Sequence, residues 1–249
     1  MSTTNLRRTR LIAGLVASLG ETSGRPSPER LSRTAPGYLA GMTTATEPEH
    51  MDFGRLRIAF DDRVLRPRPW TAAQSAWAAE ILATAPAGPV LELCSGAGQI
   101  GLLAVADTDR SLVCVDLDPV ACGYARRNAA AAGMSERVEV REGALDGAVR
   151  DGERFAVVVA DPPWVRRAET GRYPEDPLLA IDGGDDGMDV AWRCLDTARQ
   201  HLAPSGSMLL QLGTVGQVDA VRERLRGDEL GVTEVRWHER GVLVRVDRG

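Results

Sequence analysis

Apolar positions along the chain gather into short unbroken runs at 90–93, 111–116, 137–141, 155–160, 207–212, 232–237 and 242–246. Most are separated by segments with helical spacing, the first a helix from Ala72 to about Ala85. A run such as Val157, Val158, Val159, Ala160 predicts a strand covered on both faces, because a half-exposed strand alternates apolar with polar residues. Strands alternating with helices predict parallel pairing, with helices on both faces. The fold class is α/β, a doubly wound sheet of about seven strands. Its last two strands, joined across "HERG", form an antiparallel hairpin. A smaller hairpin is expected between "RLRIAF" and "RVLRP".

Upstream of these runs the pattern changes. Leu11, Ile12, Leu15, Val16 and Leu19 share one helical face, and their apolar run covers only about half a membrane span. The segment "NLRRTRLIAGLVASLG" therefore predicts a docked helix rather than a secretion signal or an anchor. Residues 20–49, rich in Gly, Ser, Pro, Thr and Glu, predict a linker. The expected organisation is a helix, linker and candidate lid over residues 1–50, then one domain over 51–249.

Composition narrows the function classes. The net charge of -5 supplies no basic field to draw the whole chain to a phosphate backbone, although Arg166 with Arg167 makes a local cluster. Cys94, Cys114, Cys122 and Cys194 lack CxxC spacing and predict buried thiols in a reducing, cytoplasmic setting, with no metal site. The acidic turn "DGGDDGMD" departs from EF-hand spacing, and predicts a turn into a helix from about Val190 with Asp189 as its N-cap. His50, His201 and His238 are scattered without partners.

Two stretches carry candidate chemistry. In "VLELCSGAGQIGLLAV" a strand runs into a glycine turn and then a helix, where Gly96 and Gly98 permit close backbone approach to a ligand. Asp116 ends the next strand, 20 positions after Gly96, suited to accept the hydroxyls of a ribose. Asp118 before Pro119 predicts a helix N-cap instead. A nicotinamide dinucleotide and S-adenosylmethionine both fit this much. Glu92, within the first strand, favours the second: a carboxylate suits a cationic methionine amino group and repels a pyrophosphate. The run at 155–160 then stops at Asp161, Pro162, Pro163 and Trp164, beside the ligand crevice of a doubly wound sheet.

Together these segments resemble the class I methyltransferases, Rossmann-like enzymes, and within them the bacterial methyltransferases of the release-factor glutamine side chain. "DFGRLRIAFDDRVLRPRPWT" is similar to the family's stretch ending in PRPET, and "PLLAIDGGDDGMD" to its ALDGGxDGLD segment. The resemblance spans roughly residues 52–249. It implies that Glu92, Gly96, Gly98 and Asp116 bind S-adenosylmethionine, while Asp161, Pro162, Pro163 and Trp164 hold a methyl acceptor: a protein side chain or small metabolite, with RNA or DNA bases the alternative. The chemistry needs such groups, because a planar nitrogen attacks a methyl group only when its N–H bonds are held and its lone pair is turned toward the electrophile. The Asp161 carboxylate and Pro162 carbonyl can each accept one N–H, with Trp164 stacked on the acceptor. A nicotinamide oxidoreductase is disfavoured by Glu92 and "DPPW", and a noncatalytic module by the complete acceptor motif. Three positions depart from the family: Asp161 replaces its Asn, Trp70 replaces the Glu of PRPET, and Ala144 stands where it has an acid.

Overall fold

The computed structural model describes residues 47–249, so the N-terminal helix and most of the expected linker lie outside the described residues. Strands β1 (Glu49–Phe53) and β2 (Leu56–Phe60) form an antiparallel ribbon. The chain reverses at Gly54, whose φ of +57° suits the first central position of a two-residue hairpin turn. This corrects the expected hairpin: "RLRIAF" pairs with the residues before it, and "RVLRP" forms no strand. The chain turns at Asp61, whose Oδ1 accepts from Arg63 N at 3.0 Å, and Pro67 and Pro69 remove ladder donors further on.

The main sheet and its helices follow as α1 (Ala72–Leu82), β3 (Val90–Leu93), α2 (Gln99–Ala104), β4 (Leu112–Asp116), α3 (Pro119–Ala131), β5 (Val138–Glu142), α4 (Leu145–Ala148), β6 (Phe155–Ala160), α5 (Leu178–Ile181), α6 (Asp189–His201), β7 (Leu202–Leu212), α7 (Val215–Arg224), β8 (Leu230–His238) and β9 (Gly241–Arg248). The strand order is β5-β4-β3-β6-β7-β9-β8. Pairing is parallel from β5 to β7, and β9 runs antiparallel to both of its neighbours. From β3 the chain moves outward through β4 and β5, then returns to lay β6 on the other side of β3. That reversal opens a crevice outside the carboxyl ends of β3 and β6.

The buried runs divide between two cores by strand alternation. Val90, Val157 and Val159 pack with Trp77, Ile81 and Ile100 on one face. Leu91, Val158 and Ala160 pack with Leu195, Val218 and Val221 on the other. Burial on both faces explains why β6 reads as unbroken valine. Strand β7 begins at Leu202 rather than near residue 207, because Ala203 to Ser205 are partly or fully exposed and carry no apolar run. Helix α3 starts as expected, with Asp118 Oδ1 accepting from Val120 N at 2.8 Å and proline at the first position. Asp189, by contrast, is the first residue of α6 and not its N-cap; Met188 holds that position, with its N–H donated to Asp186 Oδ1. No helix among the described residues is long and apolar enough to cross a membrane.

Candidate active site

Between β3 and α2 the chain turns through Cys94 (φ 55°), Gly96 (φ 52°) and Gly98 (φ 78°). Nothing lies within 4 Å of where a Cβ on Gly96 would stand, so the backbone there borders open space. The loop is fixed from two sides. Asn128, buried in α3, donates from Nδ2 to Ala97 O at 2.9 Å and to Ala59 O at 3.0 Å, joining loop, helix and ribbon. Asp116, at the tip of β4, accepts from Gly96 N at 2.7 Å and from Asp118 N at 2.9 Å, one bond to each oxygen. Burial nevertheless holds its carboxyl above the usual carboxylate range. Each oxygen keeps a lone pair for a ligand hydroxyl.

Glu92 sits differently from the expectation. It is 2% exposed and does not line the cavity above the loop. Its Oε1 accepts from Gly101 N at 2.9 Å, and Cys114 Sγ donates to Oε2 at 3.4 Å. A Cβ on Gly101 would stand 2.5 Å from Oε2, so glycine is what lets α2 close on this carboxylate. Burial pushes the Glu92 carboxyl up to about 7. In this arrangement Glu92 braces α2 against β3 and β4.

Two cavities meet at the end of β6. The first is lined by Cys94–Gly96, Gln99, Asp116–Asp118, Gly143–Leu145, Asp161 and Pro163. The second is lined by Trp70, Asp161–Val165, Tyr173, Glu175, Asp176 and Glu239–Gly241. Asp161, Pro163 and Arg68 belong to both walls. Burial alone pushes the Asp161 carboxyl up to about 7, since no hydrogen bond or cation among the described residues offsets it. Trp164 is fixed by a missing side chain: a Cβ on Gly213 would stand 2.3 Å from its Cε3, and its carbonyl accepts from Gln217 Nε2 at 3.1 Å. Arg68 Nη2 donates to Asp176 Oδ1 at 2.6 Å, tying the start of α1 to the segment before α5. Trp70 lies under two guanidiniums, Arg68 at 5.6 Å and Arg240 at 5.1 Å from its ring centre.

A methyltransferase small domain model matches residues 73–174. A release factor glutamine methyltransferase of Moorella thermoacetica is 30% identical over 227 residues, covering 89% of this chain and 78% of the relative. The chain belongs to the release factor glutamine methyltransferase family. A ribosomal protein uL3 glutamine methyltransferase of Bradyrhizobium diazoefficiens is 35% identical over 129 residues, 50% of this chain and 40% of that protein. The chain spans less than two thirds of the length of several such relatives, 61% in one case and 40% in another. Among solved structures, a methyltransferase of Pyrococcus furiosus has a TM-score of 0.56 at 19% identity, covering 78% of this chain and 89% of that one, a likeness of fold.

S-adenosylmethionine, the group this family implies, fits the first cavity on two observations. Ser95 Oγ and Gln99 Oε1 are buried in its wall without any hydrogen-bond partner among the described residues, so a polar ligand would satisfy both. Open space over Gly96 leaves room for it. Of the residues singled out from sequence, the structure brings Gly96 and Asp116 to the first cavity, Pro162 and Trp164 to the second, and Asp161 and Pro163 to both. Gly98 shapes the loop from below, 3.2 Å separating its hypothetical Cβ from that of Ala125, and Ala144 stands in the first cavity's wall. Ser95, Gln99 and the Arg68–Asp176 pair escaped sequence reasoning. Only the position of Gln99 directly after the glycine turn signalled any of them.

Proposed function

We propose that residues 51–249 catalyse S-adenosylmethionine-dependent methylation of a planar nitrogen on a protein side chain, the carboxamide of glutamine. The observation carrying this reading is Asp161, an unpartnered carboxylate in the wall common to both cavities. When bound, the cofactor supplies a methyl group on a sulfonium, an electrophile that needs no acid catalyst. The chain's own task is then to hold the acceptor. Asp116 accepts from the ribose hydroxyls while keeping its bonds to Gly96 and Asp118, and Ser95 and Gln99 complete their hydrogen bonding on the cofactor side. Asp161 accepts one amide N–H and the Pro162 carbonyl the other, with the Trp164 ring against the amide plane. A carboxyl that titrates near 7 also suits the proton that leaves the methylated nitrogen.

The second cavity disfavours a nucleic acid base as acceptor. Asp161, Glu175, Asp176 and Glu239 outnumber Arg68 and Arg240 along its wall, and flanking phosphates would meet that excess of acid. Four free thiols, with Cys94 and Cys194 in a thiol–thiol hydrogen bond at 4.0 Å and no disulfide, accord with the cytoplasm as the place of action. The test offers methyl-labelled cofactor with release factor, with ribosomal proteins and with RNA. Label in a glutamine of a protein supports the reading; label confined to RNA or small molecules refutes it. Calorimetry with the demethylated cofactor product should show binding that Asp116→Ala weakens roughly tenfold, the worth of a hydrogen bond to a charged group.

A further inference from the structure

A third cavity, of about 880 Å³, opens between the β1–β2 ribbon, the end of α2 and the C-terminal half of α3. It shares no lining residue with the other two. Its wall carries Arg55, Arg57, Arg127, Arg137 and His50 and no acidic side chain. The whole chain has 35 acidic residues against 30 basic ones, so this wall runs opposite to the average. Arg55 is neutralised by Asp107 at 2.6 Å. Arg137 donates only to the carbonyls of Val105 and Arg110 and keeps its charge. Arg57 and Arg127 are exposed, and neither has an ion-pair or side-chain hydrogen-bond partner among the described residues. Asp52 stands opposite Arg57 in the ribbon but makes no ion pair with it.

We propose that this cavity binds the phosphodiester backbone of RNA, at a site separate from the methyl-acceptor cavity. A guanidinium presents a planar fork of donors that matches phosphate oxygens, and two such forks stand free in one concave wall. A wall whose lining side chains include three arginines without an acidic partner among the described residues, Arg57, Arg127 and Arg137, suits a ligand charged at every residue, as a phosphodiester chain is and an acidic peptide only seldom is. No aromatic ring other than His50 borders the cavity, so it offers no platform for bases and contacts the backbone without reading sequence. A membrane surface fits poorly: Leu117, Leu178, Leu179, Val215 and Trp237, exposed large apolar side chains, all lie outside this wall. The proposal stands apart from the methylation reading, since none of its residues touches either of the other cavities.

The test is fluorescence anisotropy of a labelled RNA hairpin of about 20 nucleotides with the full chain, between about 50 and 200 mM salt. The double variant Arg57→Ala/Arg127→Ala should bind roughly tenfold more weakly at the low-salt end, and the slope of log Kd against log salt should fall by about 1.5, for two lost phosphate contacts. Its thermal midpoint should match wild type, because neither side chain is bonded among the described residues. Arg57→Lys/Arg127→Lys, which retains both charges, should recover most of the affinity. Absence of RNA binding by wild type, an unchanged slope in the alanine variant, or poly-glutamate binding as tightly as RNA each overturns the proposal. Normal methylation of a protein acceptor by the alanine variant is expected, so loss of RNA binding and loss of the catalytic reading are told apart.

Discussion

Replacing Asp161 by Asn separates the charge of this side chain from its capacity to accept a hydrogen bond. The carboxyl titrates near 7 because it is buried without a compensating donor. If the ionised form is what positions the acceptor, a group of that pKa is roughly one tenth ionised a unit below and nine tenths a unit above, so kcat/KM rises about tenfold between pH 6 and 8. Asn keeps one acceptor oxygen and does not titrate in this range, so its profile is flat. A hydrogen bond to a charged group exceeds a neutral one by about 1 kcal/mol, which puts the variant about fivefold below wild type at pH 8. The two profiles then cross between about pH 6 and 7, where the ionised fraction of wild type falls below that factor. The assay is transfer of labelled methyl to the protein acceptor, at saturating cofactor and limiting acceptor, in buffers of constant ionic strength. Affinity for the demethylated cofactor product, measured in parallel, should stay unchanged, since the proposed cofactor contacts lie at Gly96 and Asp116, on other parts of the sheet. An inflection near 7 that persists in the Asn variant would assign it to another group and refute the role given to Asp161.

Glu92→Gln should change stability rather than cofactor affinity. The folded carboxyl at about 7 lies above its ordinary 4.5. Between those values the native state binds more protons than the unfolded one, so wild-type stability falls as pH rises through the window, by up to about 3 kcal/mol. Urea unfolding of the Gln variant should show that slope flattened, with the largest gain over wild type near pH 8; a loss of cofactor binding in the variant would restore Glu92 to the ligand site. Gly101→Ala should destabilise by about 1–3 kcal/mol despite alanine's better helix propensity, because its Cβ meets Glu92 Oε2 at 2.5 Å in a closed core, and a raised thermal midpoint would contradict this packing. Gly213→Ala should displace the Trp164 ring, raising KM for the acceptor several-fold while calorimetry shows cofactor binding intact.

How legible each element was follows from where its energy comes from. Strand β6 could be read because both of its faces are buried, so Phe155–Ala160 has no polar position to blur the pattern. The start of β7 could not, since between Leu202 and Ser207 the ladder with β6 is interrupted and Ala203 to Ser205 are partly or fully exposed. The ribbon failed for a related reason: β1, "EHMDF", is only five residues long and mostly exposed, with only Met51 and Phe53 turned to the core, too short an alternation to read as a strand. Helix α3 announced itself through Asp118 and Pro119, whereas α6 took Met188 as its cap because the loop before it is held by Asp182 and Asp186, each accepting from the backbone N–H two residues on.

Glu92, buried, and Asp161, half-buried in a cavity wall, show where residue type and spacing stop informing on chemistry. Glu92 lies within an inner strand and Asp161 directly follows one, β3 and β6 are neighbours, and burial lifts both carboxyls to about 7. What separates them is the supply of donors, and that supply comes from elsewhere in the fold. Glu92 receives Gly101 N and Cys114 Sγ, nine and twenty-two residues away, brought close because α2 packs without a side chain at Gly101. Asp161 receives none among the described residues, because the prolines after it have no N–H to give and Arg68, which shares its cavity wall, is turned to Asp176 at a separation of 108 residues. A buried carboxylate whose donors are internal is a brace; one whose donors are missing in a cavity wall has kept its hydrogen-bonding capacity for something that arrives. The same reasoning applies to Ser95 and Gln99, whose vacant acceptors became visible only once the neighbours that could have filled them were placed.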